Sequence, residues 1–264
     1  MDMLTFQQQV VKAYQKVLEE LMTGSTSHLV RFWAFLPGIH DDLGAGLDRY
    51  MAFNAGRYAA FAAHFGPPTV FGRSVPTASA VGVQGDEFVL HALAAAEPGV
   101  PVENPRQVPA YEYSRRFGPM PPCFVRGTLL VGDSDSTLLI VGGTASIVGE
   151  ESRHIGQLEP QARETFRSLA SLVASAAGVD VAGHASAAEL EPLLSTFCEL
   201  RIYHPRADDE PAIATLARAS FPPSCRIEFA QASLCRSELL IEAEGLAALP
   251  PRGSISRSGL ALEP

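Results

Sequence analysis

Residues 230–247, AQASLCRSELLIEAEGLA, bring a thiol and three carboxyls into one short stretch. Cys235 precedes a segment with strand character, and Glu242 lies inside it. Side chains alternate along a strand, so Leu239, Ile241 and Ala243 share one face, while Glu238, Glu242 and Glu244 share the other with Leu240. The pattern alone favours a solvated acidic face on an antiparallel strand. If another element closed over that face, desolvation would raise the Glu242 pKa and keep the carboxyl protonated as a general acid.

A second group is cationic. Arg106, Arg115, Arg116 and Arg126 gather in a connector and the strand after it, with Glu112 the only acid among them. A guanidinium is a planar fork that can meet a carboxylate through two hydrogen bonds. The cluster therefore reads either as a pocket for a small anion or as a set of solvated, structural arginines. The GGTAS run at 142–146 reads as a loop of small residues that a ligand can approach closely. It has neither the GxxxxGK[ST] nor the GxGxxG pattern, so no nucleotide is indicated, and the chain has no GxSxG elbow. The cysteines at 123, 198, 225 and 235 lack CxxC spacing and histidines at zinc-ligand spacing. Each reads as a buried small hydrophobe, and the seven scattered histidines read as structural.

The elements that must position these residues follow from periodicity. Leu4, Val11, Tyr14, Leu18 and Leu21 mark a helical stripe ended by Gly24. Residues 28–36 read as a buried strand and 47–65 as a second helix. Residues 78–83 and 88–94 read as a hairpin about Gly85-Asp86. A Pro-rich connector spans 98–109, with 107–113 extended. Strands at 124–131 and 137–141 form a second hairpin through GDSDS. A helix at 160–177, a strand at 197–203, a helix at 209–220 and strands at 227–232 and 239–246 complete the order, and the residues after Leu249 read as a flexible tail. The first part is α-β-α-β-β, and the second repeats that order behind an opening β-hairpin. The expected fold is α+β, two copies of one unit, 1–100 and 101–249, the first lacking its hairpin and the second holding the site.

Composition narrows the function classes. Apolar residues make up 47% and charged residues 19%, which excludes a disordered chain. Twenty basic residues face 29 acidic ones, for a net charge of −9, so the basic footprint that nucleic acid requires is missing. Of the basic residues only Lys12 and Lys16 are lysines, so arginine placement carries more meaning than arginine number. No apolar run reaches the roughly 18 residues of a membrane span. MDMLTFQQQ lacks the basic and apolar regions of a signal peptide, and the expected location is the cytoplasm.

Taken together, ENPRQVPAYEYSRRFG (103–118), FVRGTLLV (124–131), VGGTASIVGEESRH (141–154) and AQASLCRSELLIEAEG (230–245) resemble the chorismatase family, and 28–61 fits the same family. IEAEGLA also resembles the closing strand of the RidA/YjgF (chorismate-mutase-like) group, on whose fold chorismatases are built. The resemblance implies a reaction in which a glutamic acid protonates the enolpyruvyl methylene of chorismate and pyruvate is lost, with no metal or organic cofactor. In one branch water attacks and a dihydroxycyclohexadiene carboxylate results. In another the ring hydroxyl attacks internally and the product aromatises to 3-hydroxybenzoate.

Position by position, the resemblance makes Glu242 the acid. It makes Cys235 and Gly149 the marks of the hydroxybenzoate branch. Arg106, Tyr113, Arg115, Arg126 and Thr144 become binders of the carboxylates and ring hydroxyl. Chorismate is then the partner, and the protein a monomer or small homo-oligomer. Two features depart from the family: members usually carry an additional N-terminal segment, and Glu150 stands where a histidine is expected after SIVG. Both departures would suit an inactive or binding-only relative. A RidA-like deaminase of enamines or imines is the other alternative, although the arginine-bearing connector belongs to the chorismatase pattern.

Overall fold

The computed structural model describes residues 2–24, 26, 28–132, 137–179 and 186–249. The inner part of the GDSDS turn and the tail after Leu249 lie outside the described residues. The chain opens with helix α1 (Met3–Met22), whose N-terminus is capped by Asp2 accepting from the Thr5 backbone N–H at 3.0 Å. Its buried stripe is Phe6, Val10, Tyr14 and Leu18, strictly four residues apart. Leu4, expected on that stripe, is 63% exposed, because a spacing of seven from Val11 places it off the line that the buried residues follow. Strand β1 (His28–Pro37) follows, then helix α2 (Arg49–Phe65), capped by Asp48. The two helices touch at Gly56, where a Cβ would lie 2.8 Å from Val10 Cβ and from the Gln7 carbonyl.

A short helix α3 (Phe71–Ser74) leads to β2 (Thr77–Val83) and β3 (Val89–Ala95). The expected hairpin between these two strands does not form. The sheet order is β2-β1-β3, with β1 parallel to β2 and antiparallel to β3. β1 carries apolar side chains on both faces and serves as the central strand. Helix α2 is the crossover that a parallel neighbour requires.

The second sheet has the order β10-β9-β11-β6-β5-β4. It begins inside the connector with β4 (Val100–Val102), which pairs with β5 (Gly127–Val131). Residues 107–113, expected to be extended, contain a single 3-10 turn at Ala110–Glu112 behind Pro109. The β5–β6 hairpin forms as expected, but β6 (Thr137–Ala145) absorbs most of GGTAS, so these glycines are sheet residues and not a loop. A small pair, β7 (Ile147–Val148) and β8 (Glu151–Ser152), precedes helix α4 (Leu158–Ala176). Phe166, Leu169, Leu172 and Val173 of α4 pack with Leu129, Leu139 and Val141 of the sheet.

Helix α5 (Ala187–Leu190), β9 (Phe197–His204), α6 (Glu210–Ser220), β10 (Arg226–Gln231) and β11 (Glu242–Leu249) complete the chain. Residues 239–241, expected within the last strand, are buried ahead of it. Of the cysteines, Cys123 and Cys225 are buried as expected, Cys235 is partly buried and Cys198 is exposed. No helix among the described residues is long and apolar enough to cross a membrane.

The two sheets meet where β2 faces β6. Thr77 and Thr128 hydroxyls lie 2.7 Å apart, Ser79 Oγ accepts from the Gly143 N–H at 2.9 Å, and Gly82 and Ser233 exchange backbone hydrogen bonds at 2.7 and 3.0 Å. An apolar cluster of Val81, Ala145, Ile147, Tyr203, Leu234 and Leu239 closes this seam. The acidic face of β11 is therefore covered by the N-terminal unit, which the alternation of one strand cannot reveal.

Candidate active site

A cavity of about 240 Å³ opens along the seam. From the C-terminal unit it is lined by Tyr113, Arg126, Gly143, Cys235, Arg236 and Glu242. The N-terminal unit contributes Tyr50 and Arg57 from α2 and Ser79 from β2. His40 and Asp48 reach it from the β1–α2 loop.

Glu242 is the first residue of β11, paired with Ala145 of β6 and Tyr203 of β9, and is only 4% exposed. Its carboxyl lies against Gly143, where a Cβ would come within 2.2 Å of Oε1. Burial is the main cause that raises its pKa to about 8, and the charge of Glu244 adds to it. Arg126 and Arg31 pull the other way. At neutral pH the carboxyl thus holds its proton. The Cys235 thiol points to Glu242 Oε2 at 3.9 Å. Burial and then Glu242 push the thiol up to about 12, so it is a neutral thiol and not a thiolate nucleophile.

Two guanidiniums face the same space. Arg126 donates to the Tyr113 hydroxyl at 2.7 Å and to the Val108 carbonyl at 3.2 Å, with the Phe124 ring 5.1 Å away. Arg57 donates to Asn54 Oδ1 at 2.8 Å and lies over the Phe53 ring at 4.8 Å. Both residues are buried, and the Nε of each has no partner. Among the described residues neither Arg57 nor Arg126 has a carboxylate within ion-pair distance. The buried Glu103 acts on Arg126 from beyond that distance, and neither guanidinium is directly paired, so the arrangement suits anionic groups supplied by a ligand. Arg236 stacks on Phe117 at 3.9 Å and donates to the Glu150 carbonyl at 2.9 Å.

The structure thus brings Glu242, Cys235, Tyr113 and Arg126 together, and places four other expected site residues elsewhere. Arg106 pairs with Glu164 of α4. Arg115 is exposed. Thr144 lies on β6 between cavity-facing Gly143 and Ala145, so alternation turns it to the opposite face, where it donates to the Gly142 carbonyl at 3.0 Å. Gly149 occupies the β7–β8 turn with φ +63° and donates its N–H to the Arg106 carbonyl at 2.8 Å. Arg116 pairs with Glu150 and Glu151. The arginine cluster is therefore split among helix α4, solvent, the β7–β8 turn and the cavity. Glu150 points away from the cavity, accepting from the Ser114 N–H at 2.8 Å.

Sequence reasoning missed Arg57, Tyr50, Ser79 and Arg236. Arg57 did leave a signal: it stands four residues from both Phe53 and Phe61, a charge on the apolar stripe of its helix. Among the described residues, no group of three or more His, Cys, Asp or Glu side chains could hold a metal ion.

A buried acid with a raised pKa, facing two guanidiniums that are not directly paired with a carboxylate, defines a pocket that can receive a small polyanion and protonate it. The model described as "Chorismatase FkbO/Hyg5-like, N-terminal" matches residues 2–94. A 3-hydroxybenzoate synthase from Streptomyces hygroscopicus is 33% identical over 238 residues, which cover 89% of this chain and 67% of the relative. A chorismatase from Streptomyces rapamycinicus is 27% identical over 237 residues, covering 89% and 68%. A chorismatase crystal structure superposes with a TM-score of 0.79 at 24% identity, over 91% of this chain and 70% of that one. The chain belongs to the chorismatase family, with its mixed α+β, RidA/YjgF-like fold. It spans about two thirds of the length of these relatives.

Proposed function

We propose that the protein is an enzyme that converts chorismate to 3-hydroxybenzoate and pyruvate. The observation that carries this reading is the meeting of a protonated Glu242 with two buried guanidiniums, Arg57 and Arg126, in one cavity. Chorismate carries two carboxylates, and both guanidiniums line the cavity, where each can meet one of them. In this reading Glu242 delivers its proton to the enolpyruvyl methylene, which leaves positive charge on the ether-bearing carbon. The ring hydroxyl oxygen then attacks the adjacent ring carbon that bears the ether, that carbon's ether bond breaks and pyruvate leaves. The hydroxyl proton replaces the one Glu242 gave, and the ring aromatises as one ring hydrogen is lost as a proton and the oxygen gains one. The two products together hold the atoms of chorismate, so no water is consumed. The diene branch would instead consume one water.

Cys235 touches the acid and supplies the branch assignment. Its neutral thiol fills space beside Glu242 that water would otherwise occupy. Arg106, Arg115, Thr144 and Gly149 are not among the residues that line the cavity, and in this reading Arg57 and Tyr50 take their place. The test is incubation of the purified protein with chorismate, following pyruvate and aromatic product. Equal release of pyruvate and 3-hydroxybenzoate is expected, and Cys235→Ala is expected to move product toward the diene. A folded protein that releases no pyruvate overturns the reading. A product ratio indifferent to Cys235→Ala overturns the branch assignment alone.

A further inference from the structure

A recess of about 250 Å³ lies behind the cavity, and Arg31, Trp33, Arg201 and Glu244 help to line it. Glu244 follows Glu242 by two residues on β11, so the two carboxyls leave the strand on one face. Unlike Glu242, Glu244 is fully engaged. It accepts from Arg31 Nη2 at 2.7 Å, Trp33 Nε1 at 3.0 Å and the Tyr203 hydroxyl at 3.1 Å, with Arg201 at 3.7 Å.

The wall between recess and cavity is built on Arg31. Its Nη2 also donates to Ser79 Oγ at 2.7 Å, and Ser79 Oγ accepts from the Gly143 N–H at 2.9 Å. Its Nη1 donates to the Val141 carbonyl. Gly143 is the surface on which the Glu242 carboxyl rests. A single buried cation, tied to Glu244, thus holds the β6 backbone beneath the acid.

We propose that Glu244 is a positioning residue, whose carboxylate neutralises Arg31 and holds it in the wall on which the neighbouring acid rests. The inference rests on the reading of Glu242 as the proton donor.

The charged groups around Glu242 come from every side. Arg126 stands before β5, Arg31 comes from β1, and Arg57 and Tyr50 come from α2. Cys235 and Arg236 belong to the loop before β11, and Tyr203 pairs from β9. The more exposed Glu238, Asp48 and His40 complete the lining. Arg126 and Arg31 favour the ionised carboxylate, whereas Glu244 opposes it. Removing the Glu244 charge therefore lowers the pKa of Glu242, and removing the Arg31 charge raises it. A merely structural disturbance at the wall would move both variants in the same direction.

The experiment titrates Glu242 in the full chain by the infrared band of its protonated carboxyl, assigned by the loss of that band in Glu242→Gln. Wild type, Glu244→Gln and Arg31→Gln are compared, and kcat/KM for chorismate is measured against pH in parallel. Glu244→Gln is expected to lower the midpoint, and with it the alkaline limb of kcat/KM, by about one pH unit, roughly a tenfold loss on that limb. Arg31→Gln is expected to shift the midpoint upward. The opposite signs keep the test decisive if one variant fails to fold. An unmoved midpoint in either folded variant, or shifts of equal sign in the two, overturns the inference. Wild type that does not turn over chorismate overturns the functional reading instead, and the infrared titration still decides the role of Glu244.

Discussion

In the N-terminal unit β1 is central, with β2 parallel to it through α2 and β3 antiparallel on its other side. In the C-terminal unit β9 stands in the same place, with β10 parallel through α6 and β11 antiparallel. A long helix, α1 or α4, precedes each copy. The copies diverge at their return strands. The far edge of β11 is taken by β6, while among the described residues no strand pairs with the far edge of β3, whose Val89 and Leu93 are 37% and 40% exposed. β11 carries Glu242 and Glu244, whereas β3 is apolar except for His91. One chain path thus becomes chemical only where a hairpin closes the edge and the other copy covers the face. The N-terminal copy supplies that cover and, through Arg57 and Arg31, buried cations.

If the division of labour is right, the largest effect belongs to the acid. Glu242→Gln keeps the shape of the side chain but has no proton to give, so kcat is expected to fall by about 10²- to 10⁴-fold with chorismate affinity largely kept. Calorimetric binding beside steady-state kinetics checks this. The same variant tests linkage. Folding raises the carboxyl from its ordinary 4.5 to about 8, so the folded state holds a proton there that the unfolded chain has lost. Stability from this group is therefore complete below the unfolded value and declines as pH rises through the folded one. Glu242→Gln removes that decline, and denaturant melts across this window are expected to show a flatter pH dependence than wild type.

Gly143 comes next, since it ties the acid to the β6 side of the seam. A methyl at this position would collide with Glu242 Oε1 at 2.2 Å, and the carboxyl must shift by about the distance that costs 10²-fold in rate. Gly143→Ala is expected to lower kcat by about that factor while the protein stays folded. A normal kcat in this variant would mean that the acid has another resting place.

The elements were largely legible in the sequence, and their partners were not. The helices at 47–65 and 160–177 were read to within two residues, because each buries one apolar face locally. The hairpin assigned to 78–94 failed because strand pairing depends on β1, more than 40 residues earlier. Glu242 looked solvated for a related reason, since the cover over β11 comes from the other copy. The arginine cluster misled because adjacency in sequence is not adjacency in space: Arg106, Arg115 and Arg126 go to α4, to solvent and to the cavity. Arg57 was readable in principle, as a charge where helical periodicity demanded an apolar residue.

Arg57 is also the place to ask whether the N-terminal copy does more than cover. Arg57→Met keeps much of the contact with Phe53 and Phe124 and removes the charge. Losing one charged hydrogen-bonding partner of about 1.5–3 kcal/mol is expected to lower kcat/KM by roughly ten- to a hundredfold. The loss should be carried mainly by KM. An unchanged KM would reduce the N-terminal copy to a scaffold, and would leave Arg126 as the cavity's main anion ligand.

The smallest effect is expected at the open edge of β3. Val89 pairs across from Phe35, yet its own side chain is substantially exposed. Val89→Lys puts a charge on an edge strand, a position where charges discourage pairing with other chains, and is expected to change stability by no more than about 0.5 kcal/mol. Turnover should be unaffected, because Val89 lines neither the cavity nor the recess behind it. Denaturant melts and kcat/KM check both halves of the claim. A large loss of turnover without loss of stability would show that the edge of the N-terminal copy bears on the site after all, and the contrast between an idle β3 and a working β11 would have to be withdrawn.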